Sequence, residues 1–110
     1  MIATPEPRIS IVIPVFNEES NLPILFERLF PVLDALEETF EIVTVDDGSS
    51  DASLEVLRSA QTGRRELRVV SFARNYGQHA AVFAGFEASR GEWVITIDAD
   101  LQNPPEEIPK

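Results

Sequence analysis

Cysteine is absent from these 110 residues, histidine occurs once, and lysine and arginine together number nine against nineteen aspartates and glutamates. Without cysteine there is no disulfide scaffold, no thiolate zinc site and no cysteine nucleophile. Such a composition is compatible with a reducing, cytoplasmic setting. A formal net charge of −10 repels nucleic-acid phosphates, so no nucleic-acid partner is expected. No apolar run reaches the length of a membrane span, and the opening MIATPEPRIS lacks the basic and apolar regions of a signal peptide. The chain is therefore expected to be soluble. It carries no internal repeat, linker or low-complexity tract, and its length suits one domain with its own core.

What is present is an alternation of short apolar runs with longer segments of helical period. RISIVIPV (8–15), FEIVTVDD (40–47), LRVVSFA (67–73) and EWVITIDA (92–99) read as strands, the first apolar throughout as a strand buried on both faces requires. Between them, NLPILFERLFPVLDALEE (21–38) places Leu22, Leu25, Phe26, Leu29, Leu33 and Leu36 on one helical face, with Asn21 as N-cap and Pro23 in the first turn. Pro31 lies opposite that stripe, which predicts a bend convex to solvent rather than a break. ASLEVLRSAQ (52–61) predicts a second helix, capped by Ser50 or Asp51 and stopped at Gly63. GQHAAVFAGFEASR (77–90) predicts a third, ended by Gly91, with Ala81, Gly85 and Ala88 forming a face that permits close backbone approach. NPPEEIPK (103–110) is expected to open a further helix. The pattern predicts an α/β fold, a Rossmann-like three-layer parallel sheet of order 3-2-1-4. Ligands in such sheets bind outside the carboxyl ends of strands, at the switch point between strands one and four.

The unusual polar chemistry falls at that edge. Strand one ends in PVFNEE, strand two in VDDGSSD, strand three in ARNYGQH and strand four in DADLQNPP. In an extended segment Asp98 and Asp100 project together, their α-carbons roughly 6.5 Å apart, and at an effective dielectric near 20 they repel by about 2.5 kcal/mol. A divalent cation reverses the sign of that interaction. Oxygen ligands suit Mg²⁺ or Mn²⁺, a Mg²⁺ site with few protein ligands recruits substrate phosphates, and Gln102 can add a third oxygen. The ordinary alternative for such a pair is solvation or helix capping.

Gly48 predicts a tight turn, and one of Asp46 and Asp47 is expected to face the crevice, where a carboxylate accepts from a nucleobase N–H or a ribose hydroxyl. Phe16 offers an apolar face to a base, and Glu18 or Glu19 can meet ribose hydroxyls, unless these acids merely match a helix dipole. Arg74, at the tip of strand three, is a candidate phosphate contact, with a surface salt bridge as the default. His79, in the first turn of the third helix, reads as a capping or packing residue.

IVIPVFNEESNLP, VDDGSSD, RNYGQHAAVFAGF and IDADLQNPPEEIP together resemble the amino-terminal half of a glycosyltransferase family 2 enzyme of GT-A fold, of the polyprenyl-phosphate type and especially the bacterial undecaprenyl-phosphate aminoarabinose transferases. The match runs from Arg8 onward in order. The resemblance implies transfer of a sugar, with inversion, from a nucleotide donor (UDP by resemblance) to a polyprenyl phosphate. It implies that Pro14, Phe16, Glu18, Val45, Asp47, Asp98, Ala99 and Asp100 line the nucleotide-sugar, and that Asp98, Asp100 and Gln102 hold Mg²⁺ or Mn²⁺. Family members continue into an acceptor-binding half and, in this type, transmembrane helices. The chain is thus expected to be the donor-binding part of a longer protein, inactive alone, whose parent sits at the cytoplasmic face of the inner membrane. Strand four is expected to present an exposed sheet edge that promotes self-association.

A signalling receiver domain needs its acid pair after strand one and a lysine after strand five. A D-x-D phosphohydrolase needs the motif after strand one. Neither pattern is met, which leaves a non-catalytic nucleotide- or metal-binding or self-assembling module as the alternative reading.

Overall fold

A computed structural model describes residues 6–101 and 105–108. Strands β1 (Ile9–Val15), β2 (Phe40–Asp46), β3 (Leu67–Ser71) and β4 (Trp93–Thr96) alternate with helices α1 (Leu22–Ala35), α2 (Ser53–Gly63) and α3 (Gln78–Ala88), and a short 3₁₀ turn covers Pro105–Glu107. All pairings are parallel and the order is β3-β2-β1-β4, as expected. Register pairs Val12 with both Val43 and Thr96. The hydrogen bond from Ile97 N–H to Val12 carries the β1–β4 ladder one residue further.

Alternation along the strands divides the core in two. Ile11, Ile13, Val15 and Ile42 face Leu22, Leu25, Phe26, Leu29 and Leu33 of α1 and Leu57 of α2. Val12, Val43 and Val45 face Ala81 of α3. The small-residue face is a packing requirement: a Cβ on Gly85 would overlap the fully buried Val12 Cγ1. Helix α1 continues through Pro31, whose position on the exposed side spares the apolar stripe. Leu36 is its C-cap and packs partly against the core.

Several expected boundaries shift. Asn21 occupies the N-cap position of α1 but lies in the αR region and makes no capping bond; its Nδ2 donates to Glu18 Oε2 at 2.7 Å instead. Asp51 Oδ1 accepts from Ser53 N–H at the start of α2, whereas Ser50 bonds to Asn17. Gly63 is the last residue of α2, and the chain leaves through Arg64 in an extended conformation rather than a left-handed glycine. Helix α3 ends at Ala88, with Ser89 Oγ donating to the Gly85 carbonyl, before Gly91 is reached. Pro105–Glu107 forms a 3₁₀ turn where a helix was expected, and Arg28 on α1 forks onto Glu106 to hold it.

β4 pairs with β1 alone among the described residues, and Trp93 and Val94 are 60% and 41% exposed. The apolar edge expected of strand four is present.

At the amino end of the sheet, Glu41 is a buried hub with its side chain 3% exposed. It accepts from Ser10 Oγ at 2.6 Å, from Arg68 Nη1 at 2.7 Å and from the Arg90 N–H at 2.7 Å, while Gly91 N–H donates to Ser10 Oγ. Burial alone would raise the Glu41 pKa. Hydrogen bonds from Ser10, Arg90 and Arg68, with the Arg68 charge, more than offset it and hold the carboxyl below its ordinary value. Because the folded-state pKa is depressed, this group's contribution is full above its unfolded value of 4.5 and is lost as pH falls through the folded value. Glu41→Gln should cost about 3 kcal/mol, the lower end of the range for broken buried pairs because Arg68 and Arg90 keep access to water. Urea denaturation across pH 3–7 should show that loss near neutrality and a shallower acid limb in the variant; equal acid limbs would refute the assignment.

Candidate functional site

Four loops meet at the carboxyl edge of the sheet, and two of them are locked before any ligand is considered. Asn17 adopts a left-handed φ of 55°, which asparagine tolerates better than most residues. Its Oδ1 accepts from Ser50 N–H at 2.8 Å and Asp51 N–H at 3.3 Å, and its own N–H donates to Ser49 Oγ at 2.9 Å. Glu18 N–H donates to Ser53 Oγ at 2.8 Å. The serines and Asp51 of VDDGSSD are thus struts to the β1–α1 loop. Asn17 was missed in the sequence, although asparagine just past a buried strand was a usable signal for a left-handed turn.

A third loop is fastened by Asp47, which is 2% exposed. Its carboxylate accepts from Tyr76 N–H at 2.7 Å, Gly77 N–H at 3.1 Å and Asn75 Nδ2 at 2.9 Å. Gly48 makes this approach possible: its φ is +68°, and a Cβ there would overlap the backbone of Arg74 and Asn75. The neighbouring Asp46 takes the opposite role. It is buried, its Oδ2 accepts from Ser49 N–H at 3.3 Å, and its Oδ1 has no hydrogen-bond partner among the described residues. Of the acid pair, Asp47 is the one that reaches the crevice.

The fourth element is the exit of β4. It is not extended throughout: the strand ends at Thr96, Ala99 and Asp100 form a turn, and Leu101 has a left-handed φ of 68°. The strict strand alternation expected for Asp98 and Asp100 therefore fails, yet both line the same cleft, because buried Ala99 anchors the turn between them.

That cleft has a volume of about 450 Å³. Pro14, Phe16, Glu18, Asp47, Asp98, Ala99 and Asp100 all line it, and Val15, Asn75, Gly77 and Gln78 complete it. Phe16 is 46% exposed, presenting a ring face. Val45 does not reach the cleft; its side chain is fully buried under α3. Arg74 is not brought there either, and its guanidinium lies 5.1 Å over the Tyr76 ring. Gln102 lies outside the described residues. His79 is exposed and is not among the lining residues.

Among the described residues no lysine, arginine or histidine lines the cleft, against four carboxylates. Its chemistry is that of a cation acceptor. No group of three or more His, Asp or Glu that could hold a metal occurs among the described residues; Asp98 and Asp100 are two carboxylates on one cleft, a number that would leave most positions of an oxygen-ligated cation to water or ligand. This donor set fits Mg²⁺ or Mn²⁺.

Residues 10–110 match the model of glycosyl transferase family 2. The chain belongs to that family. It is 57% identical over 104 residues to an undecaprenyl-phosphate 4-deoxy-4-formamido-L-arabinose transferase of Pseudomonas paraeruginosa, covering 93% of the chain and 30% of the relative. The same-named protein of Aeromonas hydrophila is 52% identical over 103 residues, covering 93% and 32%. The chain spans about a third of the length of the curated relatives it matches. Among solved structures, glucosyl-3-phosphoglycerate synthase from Mycobacterium tuberculosis in complex with uridine diphosphate is similar at a TM-score of 0.73 and 27% identity, covering 94% of this chain and 38% of that one. The fold is that of the GT-A glycosyltransferases.

Within this family 2 chain, the Asp47 clamp makes a local prediction. Charge-assisted hydrogen bonds of this kind contribute about 1.5–3 kcal/mol. Asp47→Ala should therefore accelerate amide exchange at Tyr76 and Gly77 by roughly 10–100-fold, while exchange in β1 and β2 stays slow. Unchanged protection at both loop amides would show that the carboxylate does not hold the loop.

Proposed function

We propose that these residues bind the nucleotide-sugar donor of a transferase that glycosylates a polyprenyl phosphate. The observation that carries the reading is the cleft at the switch point, lined by four carboxylates and, among the described residues, no basic side chain. A nucleoside diphosphate is repelled from such a mouth unless a divalent cation enters with it. In this reading Asp98 and Asp100 hold the cation, Phe16 faces the base, and Glu18 and Asp47 accept hydrogen bonds from the nucleoside. The bound cation supplies Lewis-acid stabilisation of charge on the departing diphosphate. UDP is the donor nucleotide in this proposal, supported by the complex of the mycobacterial structural neighbour.

The acceptor, by likeness to the named relatives, is undecaprenyl phosphate. Its phosphate monoester, with a second pKa near ~6, is already anionic at neutral pH. An oxygen of that phosphate can attack the anomeric carbon with inversion, without a general base in this chain. Acceptor recognition is assigned to residues outside these 110, since the relatives are about three times as long and the cleft offers, among the described residues, no cationic side chain to a second phosphate. The longer protein acts at the cytoplasmic membrane face; among the described residues no helix is long and apolar enough to cross a membrane.

Calorimetric titration of the chain with UDP should show heat only when Mn²⁺ or Mg²⁺ is present. Asp98→Ala and Asp100→Ala should each lower that affinity at least about 10-fold, as loss of a charge-assisted ligand predicts. Metal-independent binding, or binding indifferent to both substitutions, would overturn the proposal.

The β4 edge supports a second expectation, self-association of the isolated chain through Trp93 and Val94. Light scattering should show mass rising with concentration, and Val94→Lys should suppress it. A wild-type monomer at all concentrations would refute it.

A further inference from the structure

One lining residue is explained neither by the motifs nor by the loop scaffold. Gln78 is the first residue of α3, is exposed, and reaches across the cleft to Asp98 Oδ1 with its Nε2 at 3.4 Å. A contact that long between accessible groups adds little to stability. Alanine would serve a helix interior at least as well. The fold therefore does not account for a carboxamide at this position.

The chemistry of the remaining lining residues isolates it further. Pro14, Val15, Phe16 and Ala99 bring no side-chain donor, and the four carboxylates only accept. Asn75 has a donor, but its Nδ2 is committed to Asp47, at 2.9 Å from Oδ2 and 3.1 Å from the main-chain oxygen. Among the described residues, Gln78 is thus the one lining side chain with an N–H not bound into the loop scaffold. It sits beside a carboxylate to which a cation is assigned.

Building on the donor-site reading above, we propose that Gln78 is a diphosphate-binding residue. When a cation engages Asp98, the Gln78 Nε2 donor passes from that carboxylate to a non-bridging oxygen of the diphosphate. The exchange replaces a long contact between accessible groups with a hydrogen bond to a charged acceptor. It also gives the cleft a neutral donor for phosphate where, among the described residues, no cationic side chain lines it.

The test uses the chain itself with Mn²⁺ and UDP as probes. Gln78→Ala should weaken UDP binding at saturating Mn²⁺ about 10-fold, the effect of losing one hydrogen bond to a charged group. Binding of Mn²⁺ without nucleotide, read by water-proton relaxation, should change less than about twofold. Gln78→Glu should weaken UDP binding more than the alanine variant, because it exchanges the donor for a negative charge. Melting temperatures and amide spectra verify that both variants fold. Equal UDP affinity in wild type and Gln78→Ala overturns the inference alone. Parallel loss of Mn²⁺ and UDP affinity also overturns it, since Gln78 would then act by orienting Asp98. Absence of Mn²⁺-dependent UDP binding in the wild type removes the donor reading and this inference with it.

Discussion

Both ends of α3 are fastened to β2 by buried carboxylates, and the shape of the cleft depends on that double attachment. Asp47, just past the carboxyl end of β2, holds the loop that enters α3; Glu41, near its amino end, holds the loop that leaves it. Between the two, Gly85 lets the helix settle on Val12. A buried carboxylate without partners costs several kcal/mol, so each acid is stable only while its loop is in place. The coupling runs both ways: the loops order the acids and the acids order the loops. A helix pinned at both ends cannot slide along the sheet, and its first turn therefore presents Gln78 to Asp98 at a defined position.

The other wall is built from different chemistry. Asn17 and Glu18 meet Ser49, Ser50 and Ser53 through neutral, partly exposed hydrogen bonds. Such bonds contribute about 1 kcal/mol each. They are numerous enough to fix the backbone while leaving the Phe16 ring and the Glu18 carboxylate facing the cleft. The motif residues thus divide between scaffold and ligand-facing roles. Asp51 and the serines belong to the scaffold, Asp98 and Asp100 to the cleft, and Asp47 belongs to both.

The sheet order and the three helices were legible in the sequence because hydrophobic periodicity reports burial directly. β1 is apolar at nearly every position since α1 covers one face and α3 the other. Seven of the site residues expected from the motifs converge on one cleft for the same reason: parallel strands place all their exits at one edge. What was not legible depends on which partner each side chain finds in the folded chain, near or far in sequence. Val45 matched a motif but alternates into the α3 layer, and Arg74 turned to an aromatic ring two residues away. Asn21 looked like a cap because asparagine favours that position, yet Glu18 competed for its amide. Gln78 lies within the RNYGQHAAVFAGF motif but carried no individual signal, since its place beside Asp98 depends on the loop that Asp47 folds beneath it. The extended geometry assumed for Asp98 and Asp100 failed because buried Ala99 draws the chain into a turn.

That turn bears on how strongly the site can act alone. Two carboxylates in an accessible cleft are a small share of the six oxygens that Mg²⁺ requires. In the proposed reading the cation is accordingly expected to bind weakly by itself, and the diphosphate, facing four carboxylates and no cationic side chain among the described residues, weakly without it. Each ligand therefore raises the affinity of the other by the same factor, as linkage demands. In the proposed reading, such a cleft would discriminate against free nucleotide and free metal without any moving part. Four lining carboxylates and, among the described residues, no basic lining side chain would together act as one device in that reading: attraction is withheld from the phosphate until a cation reverses the sign of the field.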